Sequence, residues 1–157
     1  MDKSQAMNNK INLELLQEKI NDLDGICILR NHCTPPQEMR ELLIDGKDHY
    51  KKRIPFPSAI IKSNKFPDGF CIYEIGQKEK GGTAWKKADY FFNLTRDAKP
   101  PLPIVLVYNG KLQQPNNELY SVYKTQKEIN EKLPYKFPYL IDVVREDDLY
   151  DWLENNL

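Results

Sequence analysis

The sequence predicts a mixed α/β fold in which helices cover both faces of a central sheet. In the second half of the chain, strand-like and helix-like segments alternate, which favours parallel strands joined through helices. The segment Ile104–Tyr108 is apolar throughout, as a strand buried on both faces should be. A short turn at Pro67-Asp68 joins two further strand candidates, which should therefore pair antiparallel. The 157 residues suit one domain.

Two helices and one strand are predicted in the first third of the chain. Asn12 can cap a first helix whose apolar residues recur at helical spacing, and Gly25 follows its end: Leu13, Leu16, Ile20 and Leu23. The segment Ile26–Leu29 is a short strand candidate. Thr34-Pro35-Pro36-Gln37 is typical of a capping box with proline at the first helical position, and it predicts a second helix. Met39, Leu42 and Leu43 form the buried face of that helix.

The middle of the chain contains a strand pair, a helix and a buried strand. Pro55 and Pro57 precede a strand over Ala59–Lys62, and a second strand covers Phe70 to Lys78. Thr83 can cap the next helix, in which Ala84, Ala88, Phe91 and Leu94 or Thr95 face inward.

The end of the chain repeats the alternation. We expect a short strand over Leu119 to Tyr123, and Thr125-x-x-Glu128 predicts a helix that Pro134 closes. A last strand over Tyr139 to Val144 and a last helix over Asp147 to Asn155 complete the order of elements.

Charge is balanced overall but uneven along the chain. Lys and Arg total 23, and Asp and Glu total 23, so bulk charge does not mark a nucleic-acid-binding protein. Residues 47–65 nevertheless carry six basic side chains against Asp48, whereas residues 145–154 carry five acids against Arg145. The basic segment is either a face that binds polyphosphate or ordinary solvated surface.

Cysteine, histidine and hydropathy patterns exclude several classes of protein. Cys27, Cys33 and Cys71 are irregularly spaced and odd in number, so we expect buried thiols in a reducing cytosol. His32 and His49 lack ligand-like spacing. No apolar run is long enough to span a bilayer, and the polar start MDKSQAMNNK predicts no secretory signal. The expectation is a cytoplasmic protein without a membrane partner.

The strand over residues 70–78 carries the residues with chemical potential. Because strand side chains alternate between faces, Glu74 lies on one face with Phe70, Ile72, Gly76 and Lys78. An unpaired buried carboxylate is costly, so Glu74 should have a partner, and we expect Asp68 beside it. Two such oxygen ligands would suit Mg²⁺ or Mn²⁺, with Lys78 or a neighbouring lysine to orient water or screen phosphate.

This pattern resembles the PD-(D/E)xK nuclease superfamily, which includes many restriction endonucleases, over roughly residues 59 to 144. Pro67-Asp68 matches the PD pair, and Glu74 matches the second acid. The step Lys80-Gly81-Gly82-Thr83, followed by Trp85-Lys86-Lys87, is similar to the glycine-rich entry into the next helix of some restriction enzymes.

The resemblance implies a restriction-endonuclease-like fold and a Mg²⁺-dependent DNA endonuclease, with Mn²⁺ as an alternative cation. Asp68 and Glu74 would bind the metal, Lys78 would complete the catalytic set, and either Glu38 or Glu41 would add a further acid. The expected DNA or phosphate contacts are Lys62, Gly82, Thr83, Lys86 and Lys87. Within a single domain, residues 1–57 would form an N-terminal helical part, 58–144 the catalytic core and 145–157 a C-terminal helix.

The chain departs from the family pattern at one position. Gly76 stands where the family's lysine should follow the second acid. Either Lys78, Lys62, Lys86 or Lys87 has taken that role, or the site is weakened. The alternative is therefore a non-catalytic restriction-like module that binds DNA or a protein. Loops on the core or a homodimer would have to supply any sequence specificity.

Overall fold

A five-stranded mixed sheet forms the centre of the computed structural model, which describes residues 11–30, 35–76 and 81–157. The strands lie side by side in chain order: β1 (Ile26–Leu29), β2 (Ala59–Lys62), β3 (Phe70–Ile75), β4 (Ile104–Tyr108) and β5 (Leu140–Arg145). The pairs β1–β2 and β2–β3 are antiparallel, and the pairs β3–β4 and β4–β5 are parallel. The predicted mixed sheet is confirmed.

Helices cover both faces of the sheet. The described residues form α1 (Leu13–Asp22), α2 (Gln37–Leu43), α3 (Gly81–Asp97), α4 (Tyr120–Lys132) and α5 (Leu149–Asn156). Side chains from α2, α3 and α4 join one apolar cluster, and those from α1 and α5 join the other. Short 3-10 turns occupy Gly110–Gln113, Pro134–Lys136 and Glu146–Asp148. Within the described residues, no helix has the length and apolarity needed to cross a membrane.

The alternation predicted for β3 is confirmed by the two clusters. Tyr73 and Ile75 pack in the cluster of α2, α3 and α4, whereas Phe70 and Ile72 pack in the cluster of α1 and α5. Glu74 therefore belongs to the face covered by α1 and α5. This alternation decides which polar groups can meet at the end of the strand.

Two cysteines lie where the sequence predicts. Cys27 and Cys71 are buried free thiols, and burial raises the pKa of each thiol to about 12. A thiol that stays protonated is a poor nucleophile and metal ligand, so both act as small apolar side chains. Cys33 and His32 lie outside the described residues.

The predicted strand over Leu119 to Tyr123 is wrong, because this segment opens α4. Asn117 Oδ1 accepts the N–H of Leu119 at 3.0 Å, so the chain turns there and the helix begins at Tyr120. Thr125 consequently lies inside the helix. The buried residues recur at helical spacing, a signal that the β-branched and aromatic composition of the segment obscured: Val122, Tyr123, Gln126 and Asn130.

Several predicted boundaries shift by a few residues. Asn12 caps α1 as expected, since its Oδ1 accepts the N–H of Leu15 at 3.1 Å. The N-cap of α2 is Pro36, and Thr34 lies outside the described residues. The third helix begins at Gly81, so Thr83 sits in its first turn instead of capping it. The described part of β3 ends at Ile75, and residues 77–80 lie outside the described residues.

Asp142 connects the outer strand β5 by hydrogen bonds to one helix on each face of the sheet. Its Oδ1 accepts Lys127 Nζ of α4 and the N–H of Val143, both at 2.7 Å. Its Oδ2 accepts Trp152 Nε1 of α5 at 2.8 Å. One carboxylate therefore joins both helix layers to the last strand of the sheet.

Candidate functional site at the carboxyl edge of the sheet

Polar side chains gather at one edge of the sheet, called the carboxyl edge below. The parallel strands β3, β4 and β5 all end there, and so does β1, whereas the antiparallel strand β2 begins there. In α/β proteins ligands commonly bind outside the carboxyl ends of parallel strands. The residues at this edge come from five separate segments: Arg30, Ser58, Glu74, Asn109 and Glu146.

Glu74 is the most strongly bonded of these groups. Its Oε1 accepts the N–H of Ile11 at 2.8 Å and Asn109 Nδ2 at 2.9 Å. Its Oε2 accepts a hydrogen bond from the Ser58 hydroxyl. The prediction that Glu74 has a partner is confirmed, and the partners are neutral hydrogen-bond donors that hold the carboxylate in one orientation.

Glu146 follows β5 directly and interacts with Glu74. Burial, and then the negative charge of Glu74, raise the pKa of the Glu146 carboxyl from 4.5 to about 7. The Gln113 amide contacts both Glu146 and the residue after it. Gln113 Nε2 lies 3.5 Å from Glu146 Oε2, and Gln113 Oε1 accepts the N–H of Asp147 at 2.8 Å. Near neutral pH, Glu146 therefore exchanges readily between its charged and neutral forms.

Asn109 lies between the two acids on the middle strand. Its side chain is fully buried, and among the described residues its Oδ1 has no hydrogen-bond partner, although Nδ2 of the same amide bonds Glu74. A bare buried carbonyl oxygen loses its hydration without compensation. The Asn109 oxygen is therefore an acceptor that could take a donor or a cation.

The three groups share the sheet face covered by α1 and α5. Glu74 aligns with Val107, and Val107 aligns with Val144. Asn109 and Glu146 each follow those valines by two residues through extended backbone, so they return to the same face. Two carboxyl groups and one bare amide oxygen therefore lie on one face, at the carboxyl ends of three adjacent strands.

Asp68 lies at the opposite end of β3 from Glu74. Phe66 to Gly69 form the turn before the strand, closed by the bond from Gly69 N–H to the Phe66 carbonyl at 3.0 Å. From Phe70 to Glu74 the strand rises roughly 13 Å. The structure does not bring Asp68 and Glu74 together, because a turn that precedes a strand places its residues at the strand's beginning.

Lys62 and Glu38 also lie away from Glu74. Lys62 pairs with Ile26 at the start of β1, and its ammonium is 3.7 Å from Glu38 Oε1. Glu41 accepts Gln37 Nε2 at 2.8 Å along α2. The structure thus places Glu38 and Lys62 at the far edge of the sheet, and Glu41 is engaged within its own helix.

The remaining expected site residues belong to the segment after β3. Lys78 lies outside the described residues. Gly82 and Thr83 are in the first turn of α3, and Lys86 and Lys87 are one turn further on. Thr83 and Lys86 are exposed, and Lys87 is half-buried. Of the expected metal-binding acids, Glu74 is the one at the carboxyl edge.

Sequence reasoning missed five residues of this edge: Arg30, Ser58, Asn109, Gln113 and Glu146. Asn109-Gly110 has the appearance of an ordinary turn, and Glu146 appears as one acid among five. The available signal was position, because Asn109 and Glu146 each follow a strand that pairs in parallel.

Among the described residues, no three Asp, Glu, His or Cys side chains form a group that could hold a metal ion. Comparison with protein-family models, with curated proteins and with solved structures returned no match to this chain. The functional argument therefore depends on the residues of the edge themselves.

Proposed function

We propose that this chain is a divalent-cation-dependent DNA endonuclease of the restriction type. The observation that carries the proposal is the placement of Glu74, Glu146 and the bare Asn109 oxygen on one face of the carboxyl edge. These groups replace the predicted pair of Asp68 and Glu74 as the cation ligands. The mixed sheet with helices on both faces is compatible with the restriction-endonuclease-like fold that the resemblance implies.

The ligands at this edge suit Mg²⁺ or Mn²⁺. All three are oxygen atoms, which hard cations prefer, and the remaining coordination positions would belong to water and to phosphate oxygens. A cation would satisfy the bare Asn109 oxygen. It would also counter the repulsion from Glu74, which adds to the effect of burial in raising the pKa of Glu146.

The protein's own residues prepare the edge for this role. Ser58 and the N–H of Ile11 fix the direction of the Glu74 carboxylate, and Gln113 positions Glu146. A bound divalent cation polarises a phosphodiester and lowers the pKa of a coordinated water. Lys78, three residues beyond Ile75, keeps the role that the resemblance gives it, which is to hold the attacking water.

Two residues favour the alternative, a non-catalytic restriction-like module that binds DNA. The side chain that meets Glu74 from the start of β2 is the Ser58 hydroxyl, which adds no second carboxylate. Gly76, at the end of β3, offers no ammonium group. Three hydrogen bonds already balance part of the charge on Glu74, which suits a site kept for its structure.

A plasmid-cleavage assay separates the two functions. Supercoiled plasmid is incubated with parent protein in Mg²⁺, in Mn²⁺ or in EDTA, beside Glu146→Gln and the matched control Asp68→Asn. We expect metal-dependent nicking by the parent and by Asp68→Asn, and a loss of about 100-fold or more for Glu146→Gln. Intact plasmid in every metal, together with a gel shift of the same DNA, would support the non-catalytic module instead.

Direct cation binding tests the ligands without reference to cleavage. Titration of Mn²⁺ into the parent protein should show one site per chain, and Glu146→Gln and Asn109→Ala should each weaken it by about 10-fold or more. Asp68→Asn should bind Mn²⁺ as the parent does. Equal binding by all four proteins would remove this edge as the cation site.

A further inference from the structure

The loop Lys47–Arg53 is a basic segment whose shape is fixed by one buried acid. Asp48 is 6% exposed, and its Oδ1 accepts the N–H groups of Tyr50 and Lys52 at 2.8 and 2.9 Å. Its Oδ2 accepts the Tyr90 hydroxyl of α3 at 2.8 Å. The loop thus turns its acid inward and exposes its four cations: Lys47, Lys51, Lys52 and Arg53.

The backbone of this loop supports a single conformation. Lys47 and Arg53 form an antiparallel bridge across its base. Lys51 has φ of 63°, a left-handed conformation that is uncommon for lysine. The bonds to Asp48 compensate for that conformation, so the cations are displayed at defined positions.

A second contact joins the loop to the carboxyl edge. The Arg53 guanidinium lies 5.2 Å from the centre of the Phe56 ring, and Arg30 Nη1 donates to the Phe56 carbonyl at 3.2 Å. Phe56 precedes Ser58 by two residues. Ser58 in turn accepts the N–H of Arg30 at 3.0 Å and donates to Glu74. The basic loop is therefore connected to the carboxyl edge through Phe56 and the paired backbones of Arg30 and Ser58.

We propose that these cations bind the phosphate backbone of duplex DNA and lead one strand to Glu74. The basic surface, defined as Arg30, Lys47, Lys51, Lys52 and Arg53, gains affinity through release of the counterions around DNA. Arginine suits phosphate because its guanidinium can donate two parallel hydrogen bonds. An extended polyanion matches this surface better than a compact one, since the exposed cations come from a loop and from the separate segment that holds Arg30. The inference rests on the proposed function for its DNA partner.

The test measures binding of a fluorescent 20-base-pair duplex in EDTA, where no cleavage occurs. The triple variant Lys51→Gln, Lys52→Gln, Arg53→Gln is compared with Lys124→Gln, Lys132→Gln, Lys136→Gln, which removes the same charge from exposed positions in and after α4. We expect the loop variant to bind about 30-fold more weakly, with the slope of log K against log salt smaller by about 3. The control should remain within about 3-fold of the parent.

Arg30→Gln tests the link between the loop and the edge. It should weaken the duplex by several-fold and reduce the salt slope by about 1. Circular dichroism spectra that match the parent exclude unfolding as the cause, and a variant that fails this check is replaced by alanine substitutions at the same positions.

Each outcome separates this inference from the proposed function. If the parent leaves plasmid intact but the loop variant loses duplex affinity, the surface binds DNA and the endonuclease proposal fails. If the parent cuts plasmid and the loop variant binds as the parent does, the basic surface is not the DNA contact. Equal losses in the loop and control variants, or displacement of the duplex by poly-glutamate at matched charge, would mean that only net charge is sensed and would overturn the inference.

Discussion

Two regions, the acidic end of the carboxyl edge and the basic end at the loop before β2, differ in which charged groups are buried and which are exposed. At the ends of β3 and β5, Glu74 and Glu146 each accept hydrogen bonds from a buried amide side chain, and the charge of Glu74 acts on Glu146. In the loop before β2, the acid Asp48 is buried and the surrounding cations are exposed. The acidic end therefore contains repulsion that a proton or a metal ion can relieve. The basic end exposes cations that a polyanion can neutralise. We therefore expect the acidic end to respond to pH and the basic end to respond to salt concentration.

Removal of the Glu74 carboxylate, at the acidic end, should cause the largest loss of stability. Glu74→Ala leaves the Ile11 N–H, the Ser58 hydroxyl and the Asn109 amide without their acceptor. We expect a loss of about 3 kcal/mol in the free energy of unfolding, measured by urea denaturation. Asp68→Ala, at an exposed turn, should stay within about 0.5 kcal/mol of the parent. A Glu74→Ala protein as stable as that control would contradict the bonded arrangement.

Removal of the Asp48 carboxylate, at the basic end, should cause a smaller loss of stability. Asp48→Ala leaves the N–H groups of Tyr50 and Lys52 and the Tyr90 hydroxyl unpaired, but Tyr50 and Lys52 are exposed residues, so water can replace part of the lost acceptor. We expect a loss of about 2 kcal/mol in urea denaturation, and about 1 kcal/mol for Tyr90→Phe. The control Asp45→Ala, an exposed acid three residues earlier, should be nearly neutral.

Stability should depend on pH through Glu146. Because the folded pKa of about 7 lies above the ordinary value of 4.5, the folded state keeps a proton that the unfolded state releases between these values. The contribution of Glu146 to stability is therefore greatest at low pH and falls as pH rises toward 7. After a discount for partial exposure, we expect the metal-free protein to be about 1 kcal/mol more stable at pH 5 than at pH 8.

Glu146→Gln is the variant that checks this assignment. The glutamine has no proton to release, so the part of the pH dependence that Glu146 supplies should disappear from urea denaturation curves in EDTA. A pH profile that is the same in Glu146→Gln and in the parent would assign the dependence to another group.

The smallest effect is expected at Tyr108, whose hydroxyl provides a comparison for the bare oxygen of Asn109. The Tyr108 hydroxyl is also buried and has no hydrogen-bond partner in the described part of the chain, but it lies in the cluster of α2, α3 and α4. Tyr108→Phe removes a polar atom that gains nothing from burial, so stability should rise by about 0.5 kcal/mol. In thermal melts, Tyr108→Phe should raise the melting temperature by the same amount with and without Mn²⁺. Asn109→Ala should instead reduce the change in melting temperature that Mn²⁺ causes.

The elements that depend on local pattern could be predicted from the sequence. Apolar spacing and the Asn12 cap indicated α1, and the uninterrupted apolar run indicated β4. The alternation in β3 predicted that Glu74 shares a face with Phe70 and Ile72. Each of these patterns extends over a few residues, which is the range that backbone periodicity controls.

The partners of Glu74 could not be predicted in the same way. Ile11, Ser58 and Asn109 lie 63, 16 and 35 residues away from it along the chain. They meet only because of the register of the paired strands and the placement of α1. Asp68 was the expected partner because it is near in sequence, but extension of the strand separates the two carboxylates. Proximity along a strand is therefore a poor guide to proximity at its end.

Asp142 has a consequence for how copies of this protein can assemble. The outermost strand of a sheet can recruit a strand from another molecule and begin a fibre. To add along β5, an incoming strand would have to displace Asp142 from the N–H of Val143. That displacement would also loosen Lys127 on one face and Trp152 on the other. Polymerisation through the β5 edge of the sheet is thus opposed by the same carboxylate that holds the two helix layers in place.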